Sequence, residues 1–247
     1  MTNLLERCNT TVTTKHLFGI IAGARLSGKT TLVGTLPGRT LLLQAIIRES
    51  GSESATALAE KLGNKLHVMN FGNIDELMGV LRELRKDEYF DNIVVDSLSA
   101  ITDMKYDDPK MKALIKVDNW AAFRQIGEAA SDVIITLKEL TYAEKVTKPK
   151  HAWLTCALSI KQDKAGEIVD VSVDCKGNIA ASAIIKFGEA VITVLPPVTT
   201  ANGESSYRLL TKSQDVWPGR IDGILREDNP GIIEPASLRT VLKLKGF

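Results

Sequence analysis

The chain has 247 residues, 44% of them apolar and 25% charged, which suits one large α/β domain of ordinary globular composition. Lys+Arg 31 against Asp+Glu 30 leaves a formal charge of +1, so no global field draws it to nucleic acid and any such contact must come from local patches. Cys8, Cys156 and Cys175 form no CxxC or Cys/His pattern, and suggest neither a disulfide framework nor a zinc site.

The amino-terminal run MTNLLERCNTTVTT lacks a basic start and a long apolar core, so no secretory signal is expected. No segment reaches the roughly 18–20 apolar residues that span a bilayer. The expected compartment is the cytoplasm, with no membrane partner.

Leu17 to Ala22 reads as a buried strand, followed by a tight loop and the start of a helix. The loop, Gly23-Ala24-Arg25-Leu26-Ser27-Gly28-Lys29-Thr30, matches the phosphate-binding pattern G-x-x-x-x-G-K-[ST] at every fixed position. Gly23 and Gly28 permit backbone angles that turn successive N–H groups inward around a phosphate. The helix opening at Gly28, with Thr31 in its first turn, adds the positive end of its dipole. Lys29 brings an ammonium to the outer phosphates, and Thr30 offers a hydroxyl to the Mg²⁺ that accompanies them.

The helix is expected to stop before Pro37-Gly38, and Arg39 to Gln44 to form a second buried strand. Ile46 to Ser54 reads as a loop, 55–62 as a helix capped by Ser52 or Ser54, and Gly63 as its left-handed terminus. Lys65 to Phe71 is a third strand. Asn73, with Glu76 three residues on, opens an amphipathic helix.

Asp91 to Ser97 is a strand ending in an acid, Asp96. Downstream of a phosphate loop this reads as the carboxylate that holds Mg²⁺ through water; an ordinary strand-terminal Asp is the alternative. Residues 102–119 read as a polar loop with Lys105, Tyr106, Lys110, Lys112 and Lys116. Asp118 is expected to cap a long helix to about Glu139. The basic connector Lys145 to Lys150 leads to strand 151–158, with Cys156 a small core residue. A polar loop with Lys161 and Lys164 follows, then alternating residues from Glu167 to Val173. Val191 to Leu195, Pro196-Pro197, the Asn202-Gly203 turn and Tyr207 to Thr211 read as a β-hairpin. Pro235 is expected to open a last helix, Ala236 to Leu244.

Strands alternating with helices imply a mostly parallel sheet with its ligand site at the carboxyl edge, where the phosphate loop and Asp96 both fall. The hairpin implies antiparallel strands added near the C-terminus.

Ile93-Val-Val-Asp96-Ser97-Leu-Ser-Ala-Ile101 resembles the Walker B segment of the RecA family, and no N-K-x-D signature for guanine is present. The order of elements resembles the small RecA-like P-loop ATPases of bacteriophages, a group that includes single-strand annealing recombinases. The counterparts of their closing motifs are Gly177-Asn-Ile-Ala through Phe187 to Val191, then Tyr207-Arg208-Leu209-Leu210-Thr211, then Arg220. The resemblance implies a single RecA-like NTPase domain, with a core of about 15–195 and a C-terminal hairpin and helix over about 190–247. It implies ATP and Mg²⁺ as cofactors and a homo-oligomeric ring or filament. Further partners would be single-stranded DNA and a single-strand-binding protein, in the host cytoplasm if the chain is phage-encoded.

Two departures from that pattern stand out. The glutamate expected just beyond the second strand is replaced by Gln44-Ala45-Ile46-Ile47, so the nearest acid is Glu49. The polar group expected to sense the outer phosphate is replaced by Ala157, leaving Thr155 and Ser159. By position the resemblance places DNA contacts at Lys105, Tyr106, Lys110, Lys112, Lys161 and Lys164, with Lys116 and Lys176 beside them. Arg220, and less so Arg208, would reach a neighbouring subunit's nucleotide. The expected function is ATP-dependent annealing or strand exchange on single-stranded DNA, with weak hydrolysis. A nucleotide-gated scaffold with little turnover is the rival, and a small-molecule kinase the third reading.

Overall fold

The computed structural model describes residues 16–46, 51–177, 188–199 and 205–247. Its centre is β1 (Phe18–Gly23), buried at every position because other layers cover both faces of this apolar run. Parallel partners flank it: β5 (His151–Gln162) on one side and β7 (Ala190–Val194) on the other. Beyond β5 lie β4 (Asn92–Asp96), β2 (Arg39–Ala45) and the edge strand β3 (Lys65–Phe71), all parallel. Beyond β7 the short strands β10 (Leu209–Leu210) and β12 (Ile232–Ile233) continue the sheet antiparallel, and β11 (Arg220–Ile221) also pairs β7. The fold is therefore α/β, with a mostly parallel sheet and antiparallel strands near the C-terminus.

Alternation along each strand divides the core into two layers. Phe18, Ile20, Leu43, Val95 and Leu154 meet α3 (Ile74–Glu83) and α6 (Asn119–Glu139) on one face. Leu17, Ile21, Leu42, Val94 and Trp153 meet α1 (Lys29–Val33) and α7 (Leu238–Leu244) on the other.

The helix starts expected from sequence are present where a side chain can satisfy a free N–H. Asn73 Oδ1 accepts from the Glu76 N–H at 2.9 Å, while Glu76 Oε2 accepts from the Gly72 N–H at 2.7 Å. Asp118 Oδ1 accepts from Ala121 N–H at 2.9 Å and starts α6. Gly63 takes the left-handed conformation after α2 (Ser52–Lys61), at φ 71°.

Four expectations need correction. The 102–119 stretch is no loop: α4 (Leu98–Asp107) and α5 (Pro109–Val117) fill it. Pro109, which punctuates the sequence, stands in the first turn of α5, where its missing N–H costs nothing. Helix α2 begins at Ser52 after Gly51, and no side chain caps it. Strand β5 continues to Gln162 and pairs antiparallel with β6 (Ile168–Val173), so the polar stretch after 158 is largely a two-stranded ribbon. Helix α7 starts at Leu238 with Ser237 as its cap, and Pro235 precedes it outside the helix. Strands β7 and β10 pair as expected, and β8 (Val198–Thr199) with β9 (Ser205–Ser206) extends that hairpin. The Asn202-Gly203 turn and Cys8 lie outside the described residues.

The edge of the sheet at the amino ends of the strands is pinned by charge. Asp91 accepts the Arg39 backbone N–H at 2.8 Å and pairs with the Arg39 guanidinium and, at 2.6 Å, with Lys148. Lys150, its side chain fully buried, donates to the carbonyls of Asp87 and Lys148. The basic connector is thus structural. Among the described residues no helix is long and apolar enough to cross a membrane.

Candidate functional site

At the opposite edge, where the parallel strands end, residues 23–31 fold around a cleft of about 580 Å³. Gly28 has φ 88°, the left-handed angle that favours glycine, and turns the loop into α1. A Cβ on Gly23 would stand 2.5 Å from Ser27 Oγ and 3.2 Å from Val194, so a side chain here would displace the loop. Lys29 Nζ donates to the carbonyls of Gly23 at 3.0 Å and Ala24 at 2.7 Å, arching over the loop.

The acid is where the sequence places it. Asp96 ends β4, two strands from β1, which is roughly 10 Å of sheet. The start of α1 closes that gap: Thr30 Oγ1 donates to Asp96 Oδ2 at 2.8 Å. From β5, between them, Thr155 Oγ1 donates to Oδ1. Asp96 is 1% exposed, and burial raises its pKa against the opposing pull of the two hydroxyls and Lys29.

This set fits a phosphate with a divalent ion. Ser27 Oγ is buried in the loop with no hydrogen-bond partner, a polar atom that an anion-filled nest would satisfy. Thr30 and Asp96 supply the hard oxygen donors that Mg²⁺ takes. No other cluster competes: among the described residues no group of three His, Cys, Asp or Glu could hold a metal.

Further contacts complete the cleft. Ser99 Oγ accepts the Ala157 N–H at 3.3 Å and donates to the Asp174 carbonyl. Thr102 Oγ1 accepts the Lys176 N–H at 3.2 Å, and Arg25 pairs with Asp174 at 3.3 Å. The base of the ribbon, where it leaves the sheet, is thereby tied to α4 and to the phosphate loop. Thr31 and Ser54 share a hydroxyl hydrogen bond at 2.7 Å, and Tyr207 stands over Gly28. Ser99 and Thr102 carry no sequence signal, because a hydroxyl at a helix start does not reveal its partner.

The other candidates fall as follows. Glu49 lies outside the described residues. Gln44, beside Asp96 in the β2–β4 register, is buried with Nε2 unpartnered. Ala157 does line the cleft; Thr155 is committed to Asp96, and Ser159 is exposed on the ribbon. Arg220 sits on β11 opposite Val191, toward the amino end of β7 and away from the phosphate edge; it donates to the Gly188 carbonyl at 2.5 Å and pairs with Asp222.

Lys105, Tyr106, Lys110 and Lys112 stand on α4 and α5, not on a loop. Lys105 lines a second cleft of about 1000 Å³ that also holds Asp75, Asp107, Asp108 and Asp132. Tyr106 is half-buried against Phe123, with Lys176 Nζ 5.5 Å above its ring. Lys112 pairs with Asp107 and Lys161 with Asp170, while Lys110, Lys116 and Lys164 are exposed. Trp120, which the sequence did not single out, is 74% exposed at the start of α6. Cys156 is a core residue, its thiol pushed up to about 12 by burial.

No protein-family model matches the chain, and a search of curated proteins finds no match.

Proposed function

We propose that the protein is a RecA-like P-loop NTPase of phage type that holds ATP with Mg²⁺ and promotes annealing or strand exchange on single-stranded DNA as a homo-oligomer. One observation carries the nucleotide reading: the Thr30–Asp96 hydrogen bond, which joins the phosphate-loop hydroxyl to the strand-end acid. Residues 23–30 would grip the phosphates through backbone N–H groups, with Lys29 on the outer ones. Thr30 and Asp96 would hold Mg²⁺, whose contribution is to neutralise charge on the phosphates. Thr155 orients the Asp96 carboxylate. The DNA reading draws on the family resemblance and on exposed Lys110, Lys116 and Lys164; the stacking face passes from Tyr106 to Trp120.

One observation favours the second reading, a nucleotide-gated scaffold with little turnover. Gln44 and Ala157 occupy the places where a water-orienting acid and a phosphate sensor are expected, and Thr155 is spent on Asp96. The same fact predicts slow hydrolysis under either reading.

The test is ATP binding with Mg²⁺ for the parent and Lys29→Ala, beside binding of a labelled single strand across a salt series. The parent should bind ATP and Lys29→Ala should lose at least about tenfold in affinity, with DNA affinity falling as salt rises. Equal ATP binding by both overturns the nucleotide reading. Absence of DNA binding at low salt, with and without ATP, removes the DNA role and leaves the scaffold.

A further inference from the structure

Beside the phosphate loop, on the side away from Asp96, lies a small slot of about 110 Å³ with mostly apolar walls. Leu32 of α1, Leu58 of α2, Val194 at the end of β7 and Ala236 form its walls, and the Tyr207 ring closes it. Tyr207 also lines the phosphate cleft, so the two spaces share a wall. A Cβ built on Gly28 would lie 3.3 Å from the Tyr207 ring, so the ring passes close over the loop backbone and any side chain at 28 would push it away.

The tyrosine is held in place through its backbone rather than its ring. Its carbonyl accepts the Ala236 N–H at 2.9 Å, and the next carbonyl, of Arg208, accepts the Leu195 N–H at 3.0 Å. The residue is 42% exposed, so it is fixed in position yet open to solvent. The threonine hydroxyls nearest the slot are engaged: Thr31 with Ser54, and Thr35 with the Leu32 carbonyl and the Leu238 N–H. The slot therefore offers stacking and apolar contact without a free donor–acceptor array.

Resting on the nucleotide reading above, we propose that this slot takes the purine base of the bound nucleoside triphosphate, with Tyr207 as its stacking face. A base attached to phosphates in the loop has two directions to lie in. Toward Asp96 the cleft is polar and charged; toward Tyr207 it is flat and apolar, which is what a planar ring requires. Because the nearby threonine hydroxyls are engaged, the slot selects by shape, and adenine and guanine triphosphates bind with similar affinity.

The experiment is equilibrium binding, with Mg²⁺, of ATP, GTP, CTP and inorganic tripolyphosphate to the parent, Tyr207→Ala, Tyr207→Phe and Lys29→Ala. The parent should bind both purine triphosphates more tightly than CTP or tripolyphosphate. Tyr207→Ala should weaken ATP and GTP by about tenfold, the cost of one lost base–aromatic stack, and leave tripolyphosphate unchanged. Tyr207→Phe should match the parent, showing that the ring and not the hydroxyl is used. Tyr207→Ala binding ATP like the parent, while Lys29→Ala does not, overturns the slot and spares the phosphate loop. Equal loss of tripolyphosphate and ATP in Tyr207→Ala also overturns it, since the ring would then be supporting the loop. A parent that binds no triphosphate sinks the nucleotide reading itself, and the slot with it.

Discussion

Asp96 combines two demands that oppose each other. A site for a divalent ion needs a carboxylate, yet the strand end that positions it removes it from water. Burial raises its pKa, and the Thr155 and Thr30 hydroxyls with Lys29 only partly offset this. The raised value means the folded chain binds this proton more readily than the unfolded chain. Stability from this group therefore falls as pH rises from the ordinary 3.8 through the folded value, and the ionised form is a net cost at neutral pH. Asp96→Asn should raise the melting temperature measured without added nucleotide or Mg²⁺. The same variant should lose the Mg²⁺ dependence of ATP affinity. Thermal unfolding and ATP titration with and without Mg²⁺ check both, and a lowered melting temperature would show the carboxylate to be stabilising. At this scale the sequence was informative where glycine, lysine and acid types are demanded by geometry, as at Gly28, Lys29 and Asp96. It was mute on Ser99 and Thr102 and on the hydrogen bond from Thr155 to the acid, because a hydroxyl's partner depends on which elements become neighbours.

Elements are packed to tolerances that single methyl groups test. Helices α1 and α2 cross at Gly34, where a Cβ would lie 2.4 Å from the Ala55 carbonyl oxygen and 3.0 Å from the Ala59 nitrogen. Both atoms are backbone, so one helix must move. Gly34→Ala should cost about 1–3 kcal/mol, and because α2 carries Ser54 to the cleft rim it should weaken ATP binding as well. Gly79→Ala in α3 is the control: nothing lies within 4 Å of its Cβ, and the exchange should gain about 0.5–1 kcal/mol. Chemical denaturation of both variants tests the contrast, and equal effects would refute the packing argument. The parallel strands and the capped helices were readable because apolar runs and caps are local signals. The α4–α5 pair was not: its faces carry Lys and Asp, Met111 is the buried residue of α5, and Pro109 reads as a break although it begins a helix.

Across the whole molecule, the charges that hold the fold and the groups that would hold a ligand occupy opposite edges of one sheet. Burial alone would raise the Asp91 pKa, but hydrogen bonds from Lys148 and Arg39 outweigh it and hold it at about 2, below the ordinary 3.8. Its stabilisation is present above the ordinary value and is lost as pH falls toward the folded value. Asp91→Asn should lower stability at neutral pH and flatten the acid-unfolding limb between about pH 4 and 2. ATP affinity should stay unchanged, because Asp91 precedes β4 and Asp96 ends it. Denaturation across pH, with ATP titration at pH 7, separates the two edges; a matching loss of ATP affinity would show them to be coupled.

Strand β5 spans both regions. One uninterrupted extended segment bears Thr155 beneath the acid and then leaves the sheet as half of the ribbon that ends at Asp174. The register shift between Lys161 and Gln162 lies in the outer part of the ribbon, beyond Thr155 and the contacts at Asp174. The Asp174 N–H donates to the Ala157 carbonyl, two residues from Thr155, so whatever binds at the base of the ribbon sits one short step of backbone from the hydroxyl that holds the carboxylate.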